Sequence, residues 1–294
     1  MYTSAESTSA QSSQRMSAAH PVIEYVEVDG LNLRVAILRG AANSGTPLLL
    51  FNGIGANFEV VFPFIEALEG KEVIIFDIPG IGKSEMSWWP RRFRGLARLA
   101  AKLLDRLGYP EVDVAGVSWG GALAQQFARS YPNRCRRLIL AATSAGVVMV
   151  PGGPKALSKM ITPQRYLSPL YMQRAAGDIY GGEAKRDPNL ITGHTARIIA
   201  PTVMGYLYQL MAGAGWTSVL WLHKLKQPTL IMAGSEDPLV PAVNARLLSF
   251  LIPSNRLFMV QGGGHLFMLY SLGKIIPVIR EFLDSKNPFP TKTH

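Results

Sequence analysis

Ser118 stands at the centre of Gly116-Val117-Ser118-Trp119-Gly120, and that spacing has a chemical reading. A serine hydroxyl is a poor nucleophile until a base takes its proton and the backbone holds it within that base's reach. Glycines two positions to either side suit a strand that turns abruptly into a helix around one strained residue. Val112-Asp113-Val114-Ala115 before it reads as a short buried strand, and Gly121 to Ala128 after it as a helix with small residues facing a sheet. Strand, turn and helix thus occur in the order that exposes Ser118 at the positive end of a helix. The plainer alternative is a turn of small residues chosen for packing.

A base and an orienting acid must complete such a site. Of the five histidines, His20 lies near the start of the chain, His294 ends it, and His194 and His223 fall where the regular pattern is interrupted. His265 remains as the expected general base, in Gln261-Gly262-Gly263-Gly264-His265, between the last expected strand and the last expected helix. The acid is expected in a loop at the carboxyl end of a strand. Ala233-Gly234-Ser235-Glu236-Asp237-Pro238 offers two carboxylates there, with Asp237 the choice and Glu236 a close competitor. Thr143-Ser144-Ala145-Gly146, after another strand, offers none. Charge developing on an attacked carbonyl oxygen calls for preorganised N–H donors. The amides of Trp119 and of Ile54, within Asn52-Gly53-Ile54-Gly55, are the expected oxyanion hole. The chemistry requires no metal and no organic cofactor.

The elements that must position these residues follow from the pattern. Val22 to Val28 and Leu31 to Leu38 read as a hairpin turned at Asp29-Gly30. Buried strands are expected at 47–51, 73–77, 112–115, 138–142, 228–233 and 256–260, with helices at 58–68, 121–128, 243–251 and 273–283 between and after them. Such alternation predicts an α/β fold, a mostly parallel sheet flanked by helices. It breaks between about Gly146 and Lys226, where Pro, Gly, Met, Tyr and Trp mix with short helical patterns; that segment, 146–226, reads as an inserted helical cap on a core of 21–145 and 227–284. Residues 1–20 read as a disordered tail without the pattern of a signal peptide, and 285–294 as a frayed end.

At 294 residues, 48% hydrophobic and 17% charged, the chain can bury a sizeable core, and no apolar run is long enough for a transmembrane segment. Its single cysteine, Cys135, reads as structural and fits a reducing cytoplasm. The net charge of +10 comes without a nucleic-acid-binding pattern. Arg91, Arg92, Arg94, Arg98, Lys102 and Arg106 line one side of a helix whose other side carries Leu96, Leu99, Leu103 and Leu104. The plain reading is a solvated face, and the sharper one a surface meeting an anionic particle. Gly80-Ile81-Gly82-Lys83-Ser84 lacks the spacing of a phosphate loop.

With these residues in view, the chain resembles the intracellular medium-chain-length poly(3-hydroxyalkanoate) depolymerases of the α/β-hydrolase superfamily. The likeness is carried by Phe51-Asn52-Gly53-Ile54-Gly55-Ala56-Asn57, by the Ser118 segment through Ala128, by Val148-Met149-Val150-Pro151-Gly152, by Ile179-Tyr180-Gly181-Gly182 and by Gly215-Trp216-Thr217-Ser218. Asn52, where many hydrolases carry histidine, is part of it. The serine nucleophile stands apart from related folds that use aspartate there. The resemblance implies a triad of Ser118, Asp237 and His265, and a polyester granule or hydroxyalkanoate oligomers as partner, at the granule surface in the cytoplasm. Asn52, Met149, Met211 and Trp216 are the expected substrate contacts, with Met160, Tyr166, Tyr171, Met204 and Tyr208 as further apolar cap residues. The rival readings are a small-molecule carboxylesterase with the same triad and a non-catalytic granule-binding protein.

Overall fold

The computed structural model describes residues 21–42, 44–160 and 164–289, so the expected tail and residues 290–294 lie outside it. Strands β1 (Val22–Val28) and β2 (Leu31–Leu38) form the hairpin, with Asp29 and Gly30 at φ 54° and 71°. Left-handed residues at both turn positions match the twist of paired strands. β3 (Leu48–Phe51), β4 (Val73–Phe76), β5 (Val112–Val117), β6 (Cys135–Ala141), β7 (Thr229–Gly234) and β8 (Asn255–Val260) complete one sheet in the order β1-β2-β4-β3-β5-β6-β7-β8. β1 pairs antiparallel with β2 and β2 with β4; every later pairing is parallel. The continuous apolar runs of β3 and β4 are buried along their whole length because helices cover both faces.

Helices α1 (Phe62–Ala67), α2 (Phe93–Leu107) and α3 (Trp119–Ser130) lie between these strands. The segment expected as one helix from Phe58 begins instead as a 3-10 turn, with Pro63 near the start of α1. The apolar side of α2 (Leu96, Leu99, Leu103, Leu104) packs with α3 on one sheet face. Between β6 and β7 come α4 (Pro154–Met160), α5 (Gln164–Leu167), α6 (Pro169–Tyr180), α7 (Gly182–Arg186), α8 (Leu190–Thr195) and α9 (Val203–Gly213). This helical insert has a small core of its own, in which Met172, Ala176, Ile179 and Ile191 meet Leu239 of the loop after β7. Gly146 bridges to Thr217 at its neck, and the returning chain packs into the main core through Leu222 and Leu225. α10 (Val243–Leu251), α11 (Phe267–Tyr270) and α12 (Leu272–Asp284) follow. Beyond α12, Phe289 lies 5.9 Å from Phe282 between ring centres and the Ser285 carbonyl accepts from Arg137, while Lys286 and Asn287 are exposed. Among the described residues no helix is long and apolar enough to cross a membrane.

Cys135 is the buried first residue of β6. Beside it, at the amino end of β5 and away from Ser118, sits a fully buried carboxylate. Asp113 accepts from Arg136 Nε at 2.8 Å and Nη2 at 2.5 Å, with Lys71 Nζ at 3.8 Å. Arg136 also donates to the Leu283 carbonyl at 3.0 Å, tying the end of α12 to the sheet. This cluster lies at the opposite end of β5 from Ser118.

Asp113→Ala takes the buried carboxylate from Arg136 and leaves Lys71 with only the exposed Asp284 at 3.9 Å. We expect it to lower the unfolding free energy by about 3 kcal/mol in a denaturant titration, with turnover per folded molecule unchanged. A loss below about 1 kcal/mol, the worth of a surface pair, would show that water reaches the cluster.

Candidate active site

The residue that ends β5 and begins α3 is strained. Ser118 has φ 55° and ψ −118°, a conformation costing a non-glycine residue about 1–3 kcal/mol. It is held there because its N–H donates to the Ala141 carbonyl at 2.9 Å, while its own carbonyl accepts from Gly121 N–H at 2.9 Å and Thr143 Oγ1 at 2.7 Å. Gly120 is required by close approach: a Cβ there would collide with the Phe51 and Asn52 carbonyls. One at Gly116 would strike the Gly120 carbonyl. Backbone lies directly on backbone where the strand hands over to the helix.

His265 Nδ1 lies 2.7 Å from Asp237 Oδ2, and both side chains are buried. Asp237 Oδ1 accepts the amides of Leu239 and Val240, each at 2.9 Å. A carboxylate so occupied accepts a hydrogen bond from Nδ1–H, the tautomer in which Nε2 is the acceptor nitrogen. Glu236 turns outward and pairs with Arg186 Nη1 at 2.7 Å, so of the two carboxylates Asp237 is the one beside the histidine. Ser118 and His265 line one cavity.

The insert seats the histidine, a role its sequence does not announce. His265 N–H donates to the Tyr180 carbonyl at 2.7 Å, and the two rings stack at 6.4 Å and 10°. Glu183 Oε2 accepts from Gly264 N–H at 2.8 Å, and its other oxygen accepts from Ser271 Oγ. The signal available in sequence was the Gly181-Gly182 pair, because a Cβ on Gly182 would collide with the Gly264 amide.

The loop after β3 is shaped from both sides. Asn52 Nδ2 donates to the Asn57 carbonyl at 2.9 Å, and Asn52 Oδ1 accepts from Gly53 N–H at 2.8 Å. Asn52 lines the cavity, but its polar atoms hold the loop. From the insert, Gln209 Oε1 accepts from Gly55 N–H at 2.7 Å and Tyr166 OH donates to the Ile54 carbonyl at 2.5 Å. Among the described residues, the amides of Ile54 and Trp119 have no hydrogen-bond acceptor. That leaves both free for an oxyanion.

Ser118 faces two spaces. One, of about 60 Å³, is enclosed by Val60, Phe64, Met160, Tyr166, Met268 and Leu269, with His265 at its edge. That is room for about five water molecules. The other is a more open cleft of about 200 Å³ lined by Trp119, Met149 and Trp216. Met211 reaches neither. α9 turns Gln209 and Ala212 inward, which places Met211 on its outer side, exposed, with its carbonyl accepting from Arg92 at 3.1 Å. Tyr171, Met204 and Tyr208 also lie outside both spaces. Two polar side chains missed in sequence line the enclosed space: Arg165, 2% exposed, and His194, 7% exposed.

Comparison with known proteins agrees with this fold. The profile of the alpha/beta hydrolase fold matches residues 46–194 and 183–272. The chain is 52% identical over 266 residues to a poly(3-hydroxyalkanoate) depolymerase of Ectopseudomonas oleovorans, covering 90% of this chain and 93% of that protein. It is 25% identical over 287 residues to a proline iminopeptidase of Saccharolobus solfataricus, covering 88% and 91%. Among solved structures, the enol-lactonase of Burkholderia xenovorans LB400 superposes with a TM-score of 0.76 at 20% identity, over 89% of this chain and all of that one.

Burial holds the His194 imidazolium well below its ordinary range, down to about 4, and the nearby cations Arg165 and Arg197 add to the effect. A histidine depressed in the fold stabilises the protein above its unfolded value of about 6.5 and loses that contribution as pH falls towards 4. We expect thermal stability to fall between pH 6.5 and 4, by an amount on the order of 3 kcal/mol from this residue, and His194→Gln to flatten that slope. An identical slope in the variant would assign the acid sensitivity elsewhere.

Proposed function

The chain belongs to the α/β-hydrolase fold family and, within it, to the poly(3-hydroxyalkanoate) depolymerases, and we propose that it hydrolyses poly(3-hydroxyalkanoate) esters through an acyl-enzyme. The observation that carries this reading is the Asp237–His265 contact of 2.7 Å at the edge of the cavity that Ser118 also lines. Ser118 Oγ attacks the ester carbonyl carbon as His265 Nε2 takes its proton. Asp237 keeps the imidazole in the required tautomer and stabilises the imidazolium. The Ile54 and Trp119 amides receive the oxyanion. Collapse expels the alkoxide, which takes the proton back from His265 and leaves as a hydroxyacid or shortened chain. Water, deprotonated by the same nitrogen, then attacks the acyl carbonyl and regenerates Ser118. None of these steps calls on a metal or an organic cofactor.

Residues 146–226 act in this reading as a lid over a core of 21–145 and 227–284. The apolar lining at Met160 and Tyr166, and at Met149 and Trp216 across the nucleophile, supports a water-insoluble substrate with alkyl side chains. We place the enzyme at polyester granules in the cytoplasm; in support, Arg92, Arg94, Arg98 and Arg129 line one surface groove suited to an anionic coat. The small volume beside Ser118 favours one competing reading, a carboxylesterase for short soluble esters.

Release of 3-hydroxyalkanoic acids from amorphous medium-chain granules decides between them. We expect release by the native protein and none by Ser118→Ala. Asp237→Asn is expected to lower kcat by about 10⁴-fold at nearly unchanged melting temperature. Cleavage of a soluble octanoate ester with no release from granules would replace the polymer assignment with the short-ester one, and full activity in Ser118→Ala would sink the mechanism.

A further inference from the structure

A buried arginine without a carboxylate partner is costly, because its charge is desolvated with no counter-charge. Arg165 is such a residue. Its terminal nitrogens meet only neutral acceptors: Tyr206 OH at 2.9 Å, Tyr166 OH at 3.1 Å, the Ile54 carbonyl at 3.4 Å and the Met160 carbonyl at 3.5 Å. Its Nε–H is buried and has no partner among the described residues. His194 Nδ1 is in the same condition. Both side chains line the enclosed space that Ser118 and His265 share. Both tyrosine hydroxyls are already committed: each accepts from an Arg165 terminal nitrogen and donates to a carbonyl, Tyr206 OH to Met160 at 2.6 Å and Tyr166 OH to Ile54. The two residues thus bring two unpartnered buried nitrogens to the wall of a largely apolar space.

Resting on the esterase reading above, we propose that Arg165 and His194 form a subsite for the free carboxylate of a hydroxyalkanoate chain, so that the enzyme works from the acid end. The chemistry fits. In a polymer of 3-hydroxyacids the terminal carboxylate belongs to the leaving-group side of the last ester, separated from its alkoxy oxygen by two carbons. With that carboxylate in this space, the alkoxy oxygen lies on the side of the ester that faces the same space, which His265 also lines. Ser118 attacks the carbonyl of the penultimate unit, and the bond to the alkoxy oxygen breaks. His265 returns its proton to that oxygen, and one 3-hydroxyacid is released. The remaining chain stays on Ser118 until water displaces it. Arg165 Nε–H and His194 Nδ1–H each donate to one carboxylate oxygen, and such charge-assisted bonds are strong in a dry site.

Calorimetric titration of Ser118→Ala with the 3-hydroxyoctanoate dimer, as the free acid and as its methyl ester, tests this without turnover. We expect the acid to bind at least about tenfold more tightly than the ester, the value of a hydrogen bond to a charged group. Adding Arg165→Gln should remove that preference while leaving the ester's affinity unchanged, and Arg165→Lys should restore part of it. Binding of the single acid 3-hydroxyoctanoate with the same preference would extend the subsite to the released product. Equal affinity for acid and ester overturns the proposal. So does Arg165→Gln weakening both alike, which is the result expected if the arginine only braces Tyr166 and Tyr206. Because the acid–ester comparison needs no change at Arg165, it stands even if that variant fails to fold. Hydrolysis of the methyl ester by the native protein reports separately on the esterase reading, so failure of one is told from failure of the other.

Discussion

The hydrogen bond from His265 N–H to the Tyr180 carbonyl joins two parts of the chain that the fold could have kept apart. Around it the backbones touch so closely that side chains are excluded. Gly181 and Gly182 have φ 62° and 45°, and a Cβ on either would collide with the acid loop at Glu236 or the histidine loop at Gly264. The junction of α6 and α7 is therefore a wedge between the loops carrying Asp237 and His265. Glu183 locks it by accepting from the Gly264 amide. The 2.7 Å Asp237–His265 contact depends on this wedge as much as on the sheet. The other side of Ser118's surroundings is lined instead from α4 and α5, through Met160, Arg165 and Tyr166, and braced from α9 through Gln209.

That division explains what could and could not be read from sequence. The hairpin, the buried strands and α10 were legible because each is a local pattern: period-two alternation, a continuous apolar run, or a helical stripe closed by a turn. Ser118, Asp237 and His265 were legible because each sits in a loop whose glycines or prolines mark a strand end. Glu236 could not be set aside by sequence, since it differs from Asp237 by one position, and only the fold turns it towards Arg186. Arg165 and His194 were hidden for a related reason. In short helices such as α5 and α8, the inward side is set by tertiary packing, and an arginine there reads as a solvated charge. Met211 was expected among the substrate contacts as an apolar side chain, on a helix whose inward face carries Gln209.

Gln209 shows how polar groups of the insert govern the core. Its side-chain oxygen accepts from Gly55 N–H, and its carbonyl accepts from Trp119 Nε1 at 2.8 Å. One residue of α9 thus spans both sides of the proposed oxyanion hole, fixing the Ile54 loop and the Trp119 ring. Tyr166 holds the same loop through the Ile54 carbonyl. Preorganisation of this kind matters because donors that need not reorganise as charge develops stabilise the transition state more than they stabilise the ester. The insert is accordingly part of the catalytic geometry, in addition to covering it.

The two spaces at Ser118 differ in what they can discriminate. The enclosed one is small, apolar and positively charged at one point, so it selects by the identity of a chain end. The more open cleft beside Trp119 and Trp216 has no such charge among its lining residues and is the larger of the two, at about 200 Å³. End recognition is thereby confined to one side of the nucleophile. The same asymmetry orders the two half-reactions. While the first product fills the enclosed space, water has no room beside His265. In the proposed mechanism, release of that product frees about 60 Å³ in the space that His265 lines, and water entering there attacks the acyl-enzyme.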